Sequence, residues 1–427
     1  MKKILLIEFL LISAGLFAQE KDAVVPIIRI STGKVIHRFF DTSPISPSGK
    51  YIALFRFPSE THSPTPGEVG EVILVEIKTG KERVVAKSRG FEMQLGANVQ
   101  WGRTDKELFF NDVDTTTWKI FATLLNPFSG KLRRMDGPVF MVSPDGKQLA
   151  SHNLAKSRFA QVGYGAVVPN TIALRNKGLV DSDGIYITDV ATGKCRQIVS
   201  IKQIYENAIP SMAITNPENF EFYCFQVKWN PQGTRLLTVI DWLPKKEGKR
   251  QRVVITMRAD GSDIRTAVTN EQWSLGGHHI NWMPDGEQLS MNLNVDGKPG
   301  IEIITVKYDG TNMKTVYKIG SGHPSYHPKG LPYIITDAYS GEMTLPNGKT
   351  PIRLINVEKQ TERNIAEIVL PEITNFEFRV DAHPAWDKTG RYVVFNGVDN
   401  GTRCVYIADL KKMFVTKLHD VNKFAKM

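Results

Sequence analysis

Short runs of alternating apolar and polar residues recur along the chain, and each follows the same kind of turn. Residues 51–55 and 392–395 are two such runs. Alternation with a period of two residues predicts β-strands, and a Pro/Gly turn predicts the tight connection between two of them. An aromatic residue such as Trp101, Trp282 or Trp386 stands just before most of these turns. The pattern therefore predicts a protein built from β-hairpins.

The turn occurs seven times. Its copies begin at Ser46, Arg103, Ser143, Asn230, Met283, His327 and Asp387. A second turn motif, as in residues 78–81, alternates with the first, as the two hairpin turns of a four-stranded propeller blade do. One copy of the second motif, residues 31–34, precedes every copy of the first. We therefore predict an all-β, seven-bladed β-propeller over residues 19–427, in which residues 19–36 form the strand that completes the last blade. A short helix is expected within residues 201–212.

The first residues have the pattern of an export signal. Lys2 and Lys3 precede an apolar stretch, residues 4–17, and a small residue, Ala18. We predict a signal peptide over residues 1–18, a periplasmic or secreted mature protein, and no membrane insertion after the signal is removed. Three widely spaced cysteines argue against a disulfide framework.

The formal net charge of +10 indicates an anionic partner. Nucleic acid would fit this charge but not an exported protein, whereas an acidic plant or algal polysaccharide fits both. No signal for oligomerisation is visible in the sequence, so we expect a monomer.

Three segments at the same phase of successive repeats carry chemistry-bearing side chains. They contribute His279, His323, Asp381 and His383, each close before the aromatic residue of its repeat. Equivalent phases in neighbouring blades face the same end of the central channel, so these side chains are expected to converge. Imidazole and carboxylate groups bind divalent metals, with Ca, Zn and Mn as the candidates. The alternative is a hydrogen-bonded polar plug between the blades.

Two further sets are candidates. Arg158, Tyr164 and Arg175 lie in the third repeat, and Tyr with Arg suits recognition of a uronate and proton transfer to or from it. Tyr164 is equally explained as a packed aromatic residue. His37 and Arg38 lie at the start of the first repeat, where a histidine is more often structural than catalytic.

Several motifs resemble those of one superfamily of seven-bladed propellers, which includes the oligogalacturonate lyases, the ulvan lyases and glycoside hydrolase family 145. The matching segments are 93–101, 111–112, 163–165, 183–184, His279 with Trp282, 323–326 and 379–384. They span nearly the whole mature chain. Gln94 and Asn98 lie within the first of them, and the resemblance implies that they bind substrate.

The resemblance separates two activities. The lyases use histidines with a Tyr and an Arg to abstract the uronate C5 proton, and those histidines are expected near residues 94–114. This sequence has no histidine between His62 and His152. It therefore keeps Tyr164 but not the matching histidines, which counts against β-elimination.

The family 145 enzymes resemble α-L-rhamnosidases that remove rhamnose capping glucuronate in arabinogalactan, with a single catalytic histidine near the N-terminal strand. His37 has about that position, so the resemblance implies that His37 is a general acid/base and that Arg38 binds the substrate carboxylate. Our first prediction is thus an exported glycoside hydrolase that releases terminal L-rhamnose α-1,4-linked to D-glucuronate. The alternatives are a lyase of uronate-containing polymers that uses Tyr164 and Arg175, and a non-catalytic glycan-binding or scaffold propeller.

Overall fold

Seven four-stranded antiparallel sheets follow one another along the chain, and each sheet is one blade of a propeller. The computed structural model describes residues 24–246, 248–370 and 375–414. The predicted seven-bladed all-β fold is therefore confirmed. The predicted signal peptide, residues 1–18, lies outside the described residues.

The strands have the following bounds. Blade 1 contains Val35–Ile36, Tyr51–Arg56, Gly70–Glu76 and Glu82–Ser88; blade 2 contains Gln100–Trp101, Leu108–Val113, Ile120–Leu125 and Leu132–Arg134. Blade 3 contains Met141–Val142, Gln148–Ser151, Gly184–Asp189 and Cys195–Ser200; blade 4 contains Phe220–Trp229, Arg235–Pro244, Gln251–Arg258 and Arg265–Val268. Blade 5 contains Gly277–Trp282, Gln288–Leu293, Glu302–Lys307 and Lys314–Tyr317; blade 6 contains Ser325–Tyr326, Tyr333–Thr336, Thr350–Asn356 and Thr361–Ile368. Blade 7 contains Ala385–Trp386, Tyr392–Asp399, Thr402–Asp409 and the N-terminal strand Ile27–Thr32.

The ring closes as the sequence predicts, although the closing strand is shorter than expected. Ile27–Thr32 pairs antiparallel with Thr402–Asp409, the third strand of blade 7. The prediction ran the closing strand to residue 36, but Val35–Ile36 is the first strand of blade 1. Gly33 separates the two strands at φ 90°, a conformation that side chains other than glycine rarely adopt.

The aromatic residue before each turn has a clear packing role. The indole nitrogen of Trp282 in blade 5 donates a hydrogen bond to the backbone oxygen of Lys228 in blade 4, at 3.1 Å. Trp386 in blade 7 donates in the same way to Ser325 in blade 6, at 3.0 Å. Each indole ring is nearly buried, so it contributes apolar contact area as well as the hydrogen bond. Loss of that bond would leave a buried carbonyl without a donor, which destabilises the fold. These hydrogen bonds connect neighbouring blades near the channel.

The helices are few and short: Ser157–Ala160, Ile201–Asn207, Asn270–Ser274, and the 3-10 turns Pro217–Asn219 and Phe376–Phe378. The helix expected within residues 201–212 is confirmed, and its N-cap, Ser200, accepts a hydrogen bond from the backbone nitrogen of Gln203. Within the described ranges, no helix is both long and apolar enough to span a bilayer. All three cysteines are free thiols.

The segment that follows the first strand of blade 1 fills the centre of the ring. Arg38 and Lys228 both pair with Asp41, and the three side chains are at most 2% exposed. Phe39 and Phe40 lie beside them, with the Lys228 ammonium 4.9 and 4.6 Å from their ring centroids. Burial alone would raise the pKa of Asp41, but the charges of Arg38 and Lys228 outweigh it and hold that pKa low. The central channel is thus packed around a paired charge cluster.

Candidate active site

A cavity of about 390 Å³ opens at one end of the ring, above the charge cluster around Asp41 that fills the channel. Blades 4 to 7 and the loop after the second strand of blade 3 form its walls. Its polar lining includes Tyr164, Gln226, Asp241, Arg250, Arg252, His278, His279, Tyr339, Arg379 and Asp381. A cavity of this size with convergent polar groups is typical of a ligand site.

The first strands of the blades deliver side chains to this cavity through a shared backbone irregularity. His279 has φ 61° and His383 has φ 48°, although neither is glycine. Each stands three residues before the tryptophan of its blade, and the strand register of blade 5 shifts there, between His278 and Asn281. Residues with positive φ are uncommon outside glycine and cluster at functional sites. The two histidines at the matched phase therefore share a left-handed backbone conformation, which His323 at the same phase does not adopt.

Three of the four predicted metal ligands come together. Ligand atoms of His323, Asp381 and His383 all lie within 4.8 Å of one another, and the three side chains are buried. His279 lies beside this group without joining it, with its ring centroid 3.8 Å from that of His323. The structure therefore separates a compact His/His/Asp cluster from a neighbouring histidine that faces the cavity.

The cluster has the features of a metal site. His323 places Nδ1 at 2.9 and 3.0 Å from the two carboxylate oxygens of Asp337, so Nδ1 carries the proton and the lone pair of Nε2 faces the cluster. A carboxylate behind a histidine is the usual second partner of a metal ligand. Neither ring nitrogen of His383 has a side-chain hydrogen-bond partner among the described residues, although both are buried. Burial also lowers the pKa of His383 well below its usual value, which keeps it in the neutral form that binds metals.

The donor set also favours some metals over others. Two imidazole nitrogens and one carboxylate suit Zn or Mn, because Ca prefers a shell made of oxygen atoms. Among the three metals named from the sequence, the residues of the cluster thus fit Ca least well.

His279 and Tyr339 form a hydrogen-bonded pair at the edge of the cavity. His279 Nδ1 lies 2.9 Å from the backbone oxygen of Gly322, which only accepts, so Nδ1 carries the proton and Nε2 keeps its lone pair. The Tyr339 hydroxyl lies 3.2 Å from His279 Nε2 and 3.4 Å from His323 Nε2. Burial raises the pKa of Tyr339 well above its usual value, so the phenol stays protonated. The pair offers one proton acceptor and one proton donor.

Arg379 forms the opposite wall. Its Nε donates to Asp381 Oδ2 at 3.0 Å, and its Nη1 donates to the backbone oxygens of Val162 and Phe376, each at 3.2 Å. Its guanidinium lies 5.5 Å from the ring centroid of Tyr164, whose pKa burial raises above its usual range. A fixed, planar guanidinium in a cavity wall is suited to binding a carboxylate.

Blade 4 supplies a second charged wall. Asp241 is 1% exposed, and its Oδ1 has no hydrogen-bond partner among the described residues. The Nε atoms of Arg250 and Arg252 lie 3.5 Å from that oxygen, and Arg252 stacks 4.9 Å from the ring centroid of Trp273. Two cations thus share one anion, and this wall carries a net positive charge.

Three predicted substrate-binding residues lie below the cavity and hold its frame together. Gln94 donates to the backbone oxygens of Glu377 and Arg379, at 3.1 and 3.2 Å. Asn98 accepts from Arg38 Nε at 3.0 Å, and Arg38 is 3% exposed with hydrogen bonds across the channel. These contacts give Gln94, Asn98 and Arg38 structural roles.

The remaining predicted residues lie away from the cavity wall. His37 is 1% exposed, packed against the backbone of residues 382–383, and burial lowers its pKa to about 4. Arg158 donates to the backbone oxygen of Val168 at 3.3 Å, and Arg175 forms an ion pair with Glu221 at 2.7 Å. The structure therefore does not bring Arg158 or Arg175 to Tyr164, nor His37 to an open surface.

Sequence reasoning missed several residues of the site. Tyr339 and Asp337 follow the second strand of blade 6, where no repeated marker draws attention to them. Arg250 follows two exposed lysines, Lys245 and Lys246, in a charged loop, but its own side chain turns inward to Asp241. The loops that carry Tyr339 and Arg250 differ in length from blade to blade, so no repeated sequence phase points to these residues.

Comparison with solved structures places this geometry in context. An oligogalacturonate lyase in complex with manganese aligns with TM-score 0.63 and 14% identity, over 90% of this chain and 92% of that chain. The chain shares its fold. An oligogalacturonate lyase from Vibrio parahaemolyticus aligns with TM-score 0.59 and 11% identity, over 92% and 96% of the two chains.

A similar fold also occurs in a protein named as a protease. The tricorn protease aligns with TM-score 0.50 and 11% identity, over 90% of this chain and 34% of that one. No protein-family model matches the chain, and no curated protein matches its sequence. The comparisons therefore establish the seven-bladed propeller and give no support for family 145 in particular.

Proposed function

We propose that the protein is a polysaccharide lyase that cleaves a uronate-containing polymer by β-elimination in the cavity of about 390 Å³ between blades 4 and 7. This is the alternative named from the sequence, with different residues. The observation that carries it is the His279–Tyr339 pair, a proton acceptor and a proton donor 3.2 Å apart, in the wall of the same cavity as the guanidinium of Arg379.

The reaction needs three things of its site. The uronate carboxylate must be held by positive charge, a base must remove the proton at C5, and an acid must protonate the departing O4. Arg379 would hold the carboxylate, because a guanidinium pairs with both of its oxygens. Tyr164, beside Arg379, would contact the same sugar.

The proton transfers balance within the His279–Tyr339 pair. His279 Nε2 takes the C5 proton, and the electrons of the C5–H bond form the C4=C5 double bond as the C4–O4 bond breaks. The Tyr339 hydroxyl gives its proton to O4. The hydrogen bond between the two side chains then allows His279 to return a proton to Tyr339. Both residues end as they began.

The metal cluster fits the same chemistry. His323, Asp381 and His383 would hold a divalent ion, and Asp337 would keep His323 in the required tautomer. Such an ion supplies Lewis-acid stabilisation of an adjacent carboxylate when bound. One of the lyases of similar fold was solved with manganese, which the donor set of this cluster accommodates.

No specific observation favours the rhamnosidase. His37, its only proposed catalytic group, is 1% exposed and enclosed by backbone. A binding protein without activity would not need a proton donor and acceptor paired in the cavity wall. We therefore keep these two functions as outcomes of the test.

The test is to incubate the mature protein and Mn²⁺ with polygalacturonate, ulvan and gum arabic. Released products are followed by ultraviolet absorbance and by chromatography of free sugars. The expected result is an unsaturated uronate product from at least one polymer, absent in His279→Ala and in Tyr339→Phe. The matched control is Arg175→Ala, at a surface ion pair outside the cavity, which should behave as wild type.

Each contrary outcome is distinct. Free rhamnose without an absorbing product would identify a hydrolase instead. Binding of a polymer with no product in either channel would favour a glycan-binding protein. An absorbing product that persists in both His279→Ala and Tyr339→Phe would place the chemistry elsewhere in the molecule.

A further inference from the structure

Gln226 in blade 4 repeats the left-handed backbone conformation of His279 in the adjacent blade 5 and of His383. It has φ 59°, and it stands three residues before Trp229, the same phase at which the two histidines precede their own tryptophans. The pairing of the first two strands of blade 4 shifts register there, between Phe225 and Val227. The bulge therefore turns a third polar side chain out of the strand pattern.

The Gln226 side chain is nearly buried yet unused by the protein. It is 5% exposed and lines the cavity, and its amide makes no hydrogen bond among the described residues. Asn98 offers the contrast, because it has the same phase with φ 53° and both ends of its amide are bonded, to Arg38 and to Glu92. The Gln226 amide is instead open to the cavity, and holding the side chain there costs conformational entropy that no hydrogen bond to the described residues offsets.

The backbone conformation adds to this cost. The left-handed region is unfavourable by roughly 1–2 kcal/mol for a residue with a Cβ, and glycine would remove that term. Glutamine gains nothing there through its own hydrogen bonds, as noted above. The conformation is therefore explained by where it directs the amide rather than by what it does for the fold.

The surroundings of Gln226 suit a sugar. Asp241 Oδ1, buried in the same wall, forms ion pairs with Arg250 and Arg252 but no hydrogen bond among the described residues, and Trp273 closes the apolar side. An amide donates and accepts at once, as a sugar hydroxyl does, and an aromatic ring packs on the apolar face of a sugar. Arg379 belongs to blade 7, on the other side of the cavity.

We propose that Gln226 is a substrate-binding residue whose amide hydrogen-bonds a hydroxyl of the sugar unit next to the one held at Arg379 and His279. This inference rests on the proposed function. It implies that the cavity holds at least a disaccharide. Residues of blade 4 would bind the sugar unit that does not lose its C5 proton. Contacts to a non-reacting unit act as uniform binding, so they change KM more than kcat.

The test uses Gln226→Gly, which removes the amide and keeps the φ 59° conformation without strain. Kinetics with trigalacturonate and Mn²⁺ should give a KM about tenfold higher, with kcat within about twofold of wild type, as expected for loss of one buried hydrogen bond. The melting temperature should not fall, because relief of the left-handed strain offsets the added freedom of glycine in the unfolded chain. A role confined to the fold predicts the reverse, a lower melting temperature with unchanged KM.

The matched control is Asn312→Gly, at φ 56° in an exposed hairpin turn of blade 5 that lies away from the cavity. It should change neither KM nor kcat. Calorimetry with digalacturonate distinguishes a failure of the proposed lyase function from a failure of the proposed role of Gln226. Wild type that binds neither digalacturonate nor the polymers of the first test would sink the proposed function. Wild type that binds digalacturonate while Gln226→Gly binds it equally well would overturn only the role of Gln226.

Discussion

Replacing Asp337 with asparagine should weaken divalent-metal binding without unfolding the propeller. Asp337 is buried between blades 6 and 7, where it accepts from His323 Nδ1 at 2.9 Å, from the backbone nitrogen of His323 at 2.7 Å and from that of His383 at 3.3 Å. Asparagine keeps one oxygen for the backbone of His323. Its NH₂ group then takes the place of Oδ2, 3.0 Å from His323 Nδ1 and 3.3 Å from the backbone nitrogen of His383, so donors meet there and His323 Nδ1 keeps only an uncharged acceptor.

The consequence falls on the atom that would touch the metal. His323 relieves the clash by moving its proton from Nδ1 to Nε2, which removes the lone pair that faces Asp381 and His383. Loss of such a second partner typically lowers metal affinity by about 10- to 100-fold, or roughly 1.4–2.8 kcal/mol. The metal-free protein should also lose about 1–3 kcal/mol of stability, because buried donors are left without a charged acceptor.

Two measurements test this. Isothermal titration with Zn²⁺ and Mn²⁺ gives the dissociation constants, and thermal unfolding with and without metal gives the stabilisation on binding. Asp260→Asn is the control, since Asp260 lies in a hairpin turn of blade 4 and bonds only Ser262 there. Equal metal affinity in wild type and Asp337→Asn would refute the assignment of His323 as a ligand oriented by Asp337, and no affinity in wild type would refute the site as a whole.

Three other predictions follow from the described contacts. Trp386→Phe should lower the free energy of unfolding in urea by about 1–3 kcal/mol, because the buried carbonyl of Ser325 loses its donor; an unchanged urea midpoint would remove the indole bond as a link between blades. Burial lowers the pKa of His152 to about 3 from 6.5, so stability is lost as the pH falls from 6.5 towards 3. By pH 5 this loss amounts to about 2 kcal/mol relative to pH 8, and His152→Gln should unfold with a shallower pH dependence; parallel pH profiles would contradict it. Arg379→Lys should cut kcat/KM on polygalacturonate by about 100-fold, because lysine cannot replace the planar fork, whereas Arg175→Lys should leave it unchanged; similar losses in both variants would argue against a carboxylate site at Arg379.

The fold was accessible from the sequence because its signals are local and repeated. A Pro/Gly turn, the aromatic residue before it and the alternating strand after it occur within about a dozen residues, and propeller topology then follows from their alternation. The closing strand was placed correctly but is shorter than the predicted 19–36: it begins at Ile27 and ends before Gly33, where the chain passes from blade 7 into blade 1. Strand ends depend on contacts between blades, which the local pattern does not contain.

The site was partly accessible for the same reason. His323, Asp381 and His383 stand at the repeated phase, and the structure brings them within 4.8 Å of one another. Tyr339 and Arg250 reach the cavity from the loops after second strands, whose lengths differ from blade to blade, so no phase argument finds them. Arg158 and Arg175 lie in the long excursion of blade 3, where Arg158 donates to Val168 and Arg175 pairs with Glu221, and their role in substrate binding stays a prediction.

One backbone feature explains why the position in the repeat identified some residues of the site and misassigned others. A residue with left-handed φ stands three residues before the tryptophan at Asn98, Gln226, His279 and His383, and the strand register shifts there at Gln226 and His279. At Asn98 the side chain turns down into the charge cluster of the channel and is fully bonded there, so the same phase serves the frame. At Gln226 and His279 it turns into the cavity. The position of a residue in the repeat therefore predicts that its side chain points out of the sheet. The residues around it in each blade determine whether that side chain has a structural role or lines the cavity.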